Sequence, residues 1–240
     1  MKILVINPNT TASMTSKINE AAVRVARPDT QIIAANSQSG PRSIQGFLDV
    51  ALCMAGLLEE ATRHDDIDAV VVACFDDTGV DALRALLDVP VVGIGEAAYH
   101  AASMISNKFT VITTLARSVP GLEANLSRYG LATRCARVRA TDIPVLKLEE
   151  RDPKTLARIR DEIKMAIDQD MAEAIVLGCA GMADLMDELS AEFGLPVVDG
   201  IACAVAMAEA LVSAGLKTSK IGAYSFDKDV HSGAQQAAVL

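Results

Sequence analysis

AIVLGCAG, residues 174–181, carries five strand-forming residues into a thiol followed by two small residues. The same pattern occurs earlier as AVVVACFD, residues 69–76, and the two thiols, Cys74 and Cys179, lie 105 residues apart. Asn9 closes the apolar segment VINPN and Thr114 closes VITT, again with a separation of 105. Pro90 opens VPVVG and Pro196 opens LPVVD, 106 residues apart. Three landmarks that keep one offset to within a residue indicate an internal duplication.

Short segments rich in Val and Ile punctuate the chain: KILVI, QIIAA, AVVVA, VPVVGI, FTVIT, AIVLG, LPVVD and KIGAY. Longer stretches of helical character separate them. Strands alternating with helices predict an α/β fold with parallel sheets and right-handed crossovers. Helices cover both faces of such sheets, so the strands are apolar throughout. The duplication then predicts two α/β domains, each supplying one thiol at the carboxyl end of an equivalent central strand. Ligands bind at that end of an open parallel sheet, so a cleft between the domains is the expected site.

With 240 residues, 51% of them hydrophobic, the chain can bury a substantial core. The 22 basic and 31 acidic residues leave a net charge of −9. No basic block interleaved with aromatics occurs, which argues against nucleic acid and anionic membranes as partners. The first apolar segment meets Asn-Pro-Asn too early to serve as a signal-peptide core, and no apolar run is long enough for a membrane span. The five cysteines, Cys53, Cys74, Cys135, Cys179 and Cys203, are widely spaced and form no CxxC pair. Free thiols in a reducing cytoplasm fit this usage.

Two acid/base groups on opposite sides of a carbon acid can remove its proton from one face and return one to the other, inverting the centre. One must begin as thiolate, and free cysteine ionises only near pH 8.5, as an approximate value. The helix expected after each thiol would lower that by at most about 1.5 units, bringing it close to neutral. Ala180, Gly181 and Met182 are expected to open such a helix, with backbone N–H groups available to a developing oxyanion. Asp77 or Thr78 reads as the cap of the helix after Cys74, and Asp76 and Asp77 read as caps rather than catalysts. Asn9 with Thr10, and Thr113 with Thr114, stand at equivalent strand ends and are candidates to grip substrate carbonyl and N–H groups. Cys53, Cys135 and Cys203 read as core residues. His64, His100 and His231 fall outside the strand ends and read as surface residues. GIGEA, residues 93–97, lacks dinucleotide-binding spacing. No metal, flavin or pyridoxal requirement is visible.

VINPNTT near the start, ACFDD, SVPGLE at 118–123, VLGCAGM and the closing SKIGAYSF together resemble hydantoin racemases of the aspartate/glutamate racemase superfamily, close to allantoin racemases. The resemblance runs over essentially the whole chain. It implies a cofactor-independent racemase of two pseudo-symmetric α/β domains, residues 1–95 with a returning segment 212–240, and residues 96–211. It further implies that Cys74 and Cys179 are the acid/base pair. By the same resemblance Asn9, Thr113 and Thr114 line the substrate pocket, together with the backbone at Thr78, Gly178, Ala180 and Gly181; Phe75 and its apolar neighbours are further candidates, suited to an aromatic or aliphatic substituent on the substrate. A helical segment beginning GPRSIQG, residues 40–46, matches a further family motif and adds Ser43 and Ile44, although Gln45 stands where a glutamate is expected. A homo-oligomer is also implied.

Glutamate and aspartate racemases carry Asn-Thr after the first cysteine and Thr-His after the second. Phe75-Asp76 and Ala180-Gly181 stand here instead, which argues against a free amino acid. A 5-monosubstituted hydantoin suits uncharged donors, and its C5 proton is acidified by the adjacent carbonyl. Allantoin racemase and maleate isomerase are alternatives within the superfamily. A binding module without chemistry is the alternative outside it.

Overall fold

The computed structural model describes residues 1–226. The expected return segment after Phe226, with His231, lies outside the described residues. The chain folds as two four-stranded parallel sheets with helices. The first half comprises β1 (Lys2–Asn7), α1 (Ala12–Val25), β2 (Gln31–Asn36), α2 (Phe47–Ala61), β3 (Ala69–Val72), α3 (Val80–Leu86), β4 (Val91–Gly93) and α4 (Ile94–Ile105). The second comprises β5 (Phe109–Thr113), α5 (Val119–Arg128), β6 (Cys135–Ala140), α6 (Pro153–Asp170), β7 (Ala174–Gly178), α7 (Met186–Phe193), β8 (Val197–Asp199) and α8 (Gly200–Ser213). The strand orders, β2-β1-β3-β4 and β6-β5-β7-β8, are the same order repeated. β3 and β7, the strands that lead to the two thiols, occupy equivalent interior positions.

Side chains that alternate along a strand point to opposite faces, and here both faces are buried. Ile3 and Val5 join the large core shared by the two halves, whereas Leu4 and Ile6 join a core of the first half. On β7, Ala174 and Val176 face the shared core, and Ile175 and Leu177 a core of the second half. The continuous apolar runs follow from this.

Two readings are corrected. KIGAY is not a strand: residues Gly222–Tyr224 form a single 3₁₀ turn. Its neighbours tie it to the first half, with Lys220 Nζ donating to the carbonyls of Arg84, Ala85 and Leu87 and Tyr224 donating to Asp81. The sixth strand is instead CARVRA, residues Cys135–Ala140. It is an edge strand whose Ala136 and Arg137 are exposed, so it carries no apolar run to betray it.

α4 and α8, equivalent helices of the two halves, pack on one another. α8 also lies across β3 and β4, and α4 reaches β7. The crossing is tight enough to require glycine: a Cβ on Gly200 would stand 2.4 Å from the Ile94 carbonyl oxygen. α8 is capped by its own Asp199, whose carboxylate accepts from the N–H groups of Ile201 and Ala202. The equivalent residue before α4 is Gly93, which has no side chain to offer. Asp77 supplies the carboxylate instead, accepting from Gly95 N–H at 2.8 Å and Glu96 N–H at 2.7 Å. A Cβ on Gly93 would fall 2.1 Å from Asp77 Oδ1, so the glycine makes room for the substitute cap.

Gly200→Ala forces a side-chain carbon onto a backbone oxygen that cannot swing away, and should cost about 1–3 kcal/mol. A fall in the urea unfolding midpoint at constant slope is the expected reading, and an unchanged midpoint would contradict the tight crossing.

Candidate active site

β3 ends at Val72 and β7 at Gly178; Cys74 follows the first after Ala73 and Cys179 follows the second directly, at the carboxyl ends of the two sheets. Both thiols line one narrow cavity, along with Asn9, Ile44, Phe75, Thr113, Thr114, Gly178 and Ala180. Nine sequence-singled residues therefore meet there, contributed by both halves. About 40 Å³ of it is open to the centre of a water molecule, room for only a few waters. A roomier cleft of about 530 Å³ lies between the end of α2, the end of α3 and the amino ends of β3 and β4. It is at the wrong end of the sheet for ligand chemistry, and its His64 is engaged with Glu60.

The remaining expected site residues lie beside the cavity. The Thr78 hydroxyl contacts Cys74 Sγ at 3.6 Å. The Gly181 N–H favours the ionised form of the Cys179 thiol. Ser43 is buried but accepts from Gln45 Nε2 at 2.6 Å, while its neighbour Ile44 lines the cavity. The Gln45 amide donates there, which a glutamate carboxylate could not do. Residues 40–46 are not themselves helical; α2 begins at Phe47. This segment is held to the loop after β1 by Thr10 N–H donating to the Pro41 carbonyl and Thr11 Oγ1 to that of Arg42. Thr113 Oγ1 donates to the Gly178 carbonyl, so it clamps β5 to β7. The hydroxyls of Thr114 and Ser118 bond to no other described residue. His100 is turned onto its own helix, its ring on the Glu96 carbonyl.

The expectation that helix N-termini bring the thiols near neutral is overturned. The residues after Cys179 form a 3₁₀ helix, Ala180–Leu185, before α7 begins. α3 starts only at Val80, on Gly79, so neither Asp77 nor Thr78 caps it. Burial outweighs the local N–H groups. It pushes the Cys179 thiol up to about 11, with the Gly181 N–H opposing and the charge of Asp76 adding. Burial also holds Cys74 well above the usual thiol range, reinforced by Asp76 and opposed by the Thr78 hydroxyl and the Asp76 N–H.

Asp76, which reads as a cap in the sequence, instead lines the cavity. Its carboxylate is the one on the cavity wall among the described residues, accepts no hydrogen bond from them, and is pushed up to about 6 by burial, while its backbone carbonyl accepts from Asn125 Nδ2. Its position directly after Phe75, two residues beyond a strand-end thiol, was the only available signal. Met14, Ala73, Ser118 and Val145 complete the lining. All five cysteines are free. Among the described residues no grouping of three His, Cys, Asp or Glu suited to a metal occurs, and no helix is long and apolar enough to cross a membrane.

The model of the Asp/Glu/Hydantoin racemase family matches residues 3–208. The chain belongs to that family. It is 48% identical to a hydantoin racemase of Rhizobium meliloti over 231 residues, 95% of each chain. It is 44% identical to a hydantoin racemase of Pseudomonas sp. strain NS671, covering 98% of this chain and 95% of the other. Among solved structures, an allantoin racemase from Klebsiella pneumoniae superposes with a TM-score of 0.92 at 42% identity, covering 95% of this chain and 94% of that one. This racemase therefore shares its two-sheet architecture with that solved allantoin racemase.

Because the Asp76 charge disfavours a neighbouring thiolate, Asp76→Asn should lower the pH at which the cavity thiols ionise. Ultraviolet thiolate titration, with Cys53, Cys135 and Cys203 replaced by Ser, should show the signal rising at lower pH in the variant. An unchanged or upward-shifted curve would contradict the assignment.

Proposed function

We propose that this racemase interconverts D- and L-5-monosubstituted hydantoins by two-base proton transfer at C5, without a cofactor, with Cys74 and Cys179 each serving one face of the ring. The observation that carries this reading is that two thiols, on equivalent strands of a duplicated fold, line the same narrow cavity. The thiolate of one cysteine takes the C5 proton, and the electron pair moves onto the C4 carbonyl as an enolate. The thiol of the other cysteine then delivers its proton to the opposite face of C5. Each turnover leaves the two cysteines with protonation states exchanged, so the reverse reaction starts from the product state.

Burial has a purpose in this scheme. A thiol pushed up to about 11 is rarely ionised, but once ionised it is a stronger base toward a weak carbon acid. The Gly181 N–H, the Asp76 N–H and the Thr78 hydroxyl moderate the cost of forming the thiolate. The unengaged hydroxyls of Thr114 and Ser118 suit ring carbonyls as charge develops on oxygen. Asn9 is pinned by Asn7 and Thr11 on its oxygen, leaving its amide N–H groups toward Met14 and the cavity. The reading extends to a cytoplasmic homo-oligomer whose partner molecule is the substrate alone.

Allantoin is the second reading, favoured by the allantoin racemase structure that superposes so closely. Both substrates would be offered as single enantiomers in deuterated buffer, following loss of circular dichroism and deuterium at C5. Faster turnover of 5-benzylhydantoin than of allantoin is expected, and the reverse order would replace the hydantoin assignment. Cys74→Ser and Cys179→Ser should each lower the racemisation rate by about 10²–10⁴-fold; full activity in both would sink the two-thiol mechanism.

A further inference from the structure

α5, in the second half, reaches across to the loop that carries Cys74 in the first. Asn125 Nδ2 donates to the Asp76 carbonyl at 2.9 Å, and the Tyr129 hydroxyl donates to the Asp77 carboxylate at 2.9 Å. Residues four apart share one face of a helix, so both donors point the same way. Asp77 ties this face to the thiol. Its φ of 52° is left-handed, a conformation that an aspartate keeps only where its surroundings over-determine it. Its N–H donates to the Cys74 carbonyl at 2.9 Å, closing the turn on which the thiol stands. Its buried carboxylate accepts from Gly95 N–H, Glu96 N–H and the Tyr129 hydroxyl, and of these three donors the hydroxyl alone belongs to the second half.

The other thiol is set differently. No residue from 179 to 183 is left-handed, and Met182 N–H closes the turn on the Cys179 carbonyl at 3.0 Å. α1, the first-half counterpart of α5, packs against that turn, with Met14, Ile18, Ala180 and Ala183 all in the shared apolar core. Each thiol is thus met by the corresponding helix of the opposite half, Cys179 through apolar packing and Cys74 through hydrogen bonds.

We infer that Asn125 and Tyr129 are positioning residues for Cys74 alone, holding its loop so that this thiol reaches one face of the substrate while Cys179 is placed independently. The inference rests on the two-thiol reading and adds an asymmetry to it. Without the Tyr129 hydroxyl the buried Asp77 carboxylate loses a donor, the left-handed turn relaxes, and Cys74 moves off its line to C5. A misplacement of about 1 Å can cost on the order of 10²-fold in rate. For the enantiomer whose C5 proton faces Cys179, abstraction then proceeds but delivery from Cys74 lags. The enolate is reprotonated by Cys179, after that thiol has traded its proton for a solvent deuteron. Exchange outruns inversion for that enantiomer only.

The test uses the full-length enzyme in deuterated buffer with each pure enantiomer of 5-benzylhydantoin, measuring C5 exchange and inversion separately and checking folding by thermal melting. Tyr129→Phe is the decisive variant, because it keeps the ring and Tyr129 does not line the thiol cavity. For the enantiomer that Cys74→Ser still exchanges, its ratio of exchange to inversion should rise by about tenfold or more. For the other enantiomer both rates should fall together and the ratio should hold. Asn125→Ala should repeat the pattern. A loss of rate that leaves both ratios unchanged, as a merely structural role would produce, or wild-type behaviour in both folded variants, would overturn the inference and leave the two-thiol reading standing. If instead Cys74→Ser and Cys179→Ser show no opposite preference for enantiomer, the two-thiol reading itself falls, and the inference with it.

Discussion

The crossing of α4 and α8 is the constraint from which the rest of this molecule follows. Gly200 lets the second helix come down on the Ile94 carbonyl, and the two capping carboxylates, Asp199 and Asp77, anchor the helix starts beneath. Because α8 lies over strands of the first sheet and α4 reaches the second, the two halves share one core, with Tyr99 buried at its centre against Phe75 and Phe109. Close-packed interiors resist small displacements. The carboxyl ends of β3 and β7 are therefore held on a common cavity by packing that lies behind them, and the loops that carry the thiols need not supply that rigidity.

Duplication explains why there are two thiols, and divergence explains why they differ. Cys179 sits at the start of a 3₁₀ turn, where the Gly181 N–H favours its thiolate. Cys74 sits on a loop stretched by the left-handed Asp77 (φ 52°), with the Thr78 hydroxyl and the Asp76 N–H beside it. That loop does two jobs at once. Asp77 turns back into the core to cap α4 and accept from the Tyr129 hydroxyl, while Asp76 faces the cavity. The second half needs no such arrangement because Asp199 caps α8 locally. The missing carboxylate at Gly93 thus accounts for Asp77, whereas the charge that bears on both thiols is that of its neighbour Asp76.

Most of this architecture is legible in the residues. The strand segments, the offset near 105 and the placement of Cys74 and Cys179 at equivalent strand ends all follow from apolar runs and spacing, because strands buried on both faces leave an uninterrupted signature. What escapes is governed by exposure and long-range contact. β6 is an edge strand and spends its alternate positions on arginine and solvent, whereas KIGAY, apolar enough to mimic a strand, is a turn fastened to α3 by Lys220 and Tyr224. The acidity of the thiols was misjudged because local N–H groups are visible in sequence and desolvation is not. Asp76 was missed for the same reason: nothing in ACFDD distinguishes a carboxylate facing a cavity from one that caps a helix.

The central claim is that each thiol serves one face of the carbon acid, and the most direct measurement is enantiomer-specific exchange in the single variants. Cys74→Ser and Cys179→Ser would each be incubated in deuterated buffer with the pure D and the pure L hydantoin, monitoring loss of the C5 proton separately from inversion. The account predicts that each variant, while unable to invert, still exchanges the proton of one enantiomer, and that the favoured enantiomer is opposite in the two variants. Exchange of the same enantiomer by both, or of both enantiomers by either, would mean that a single base works both faces and that the paired thiols are not the mechanism.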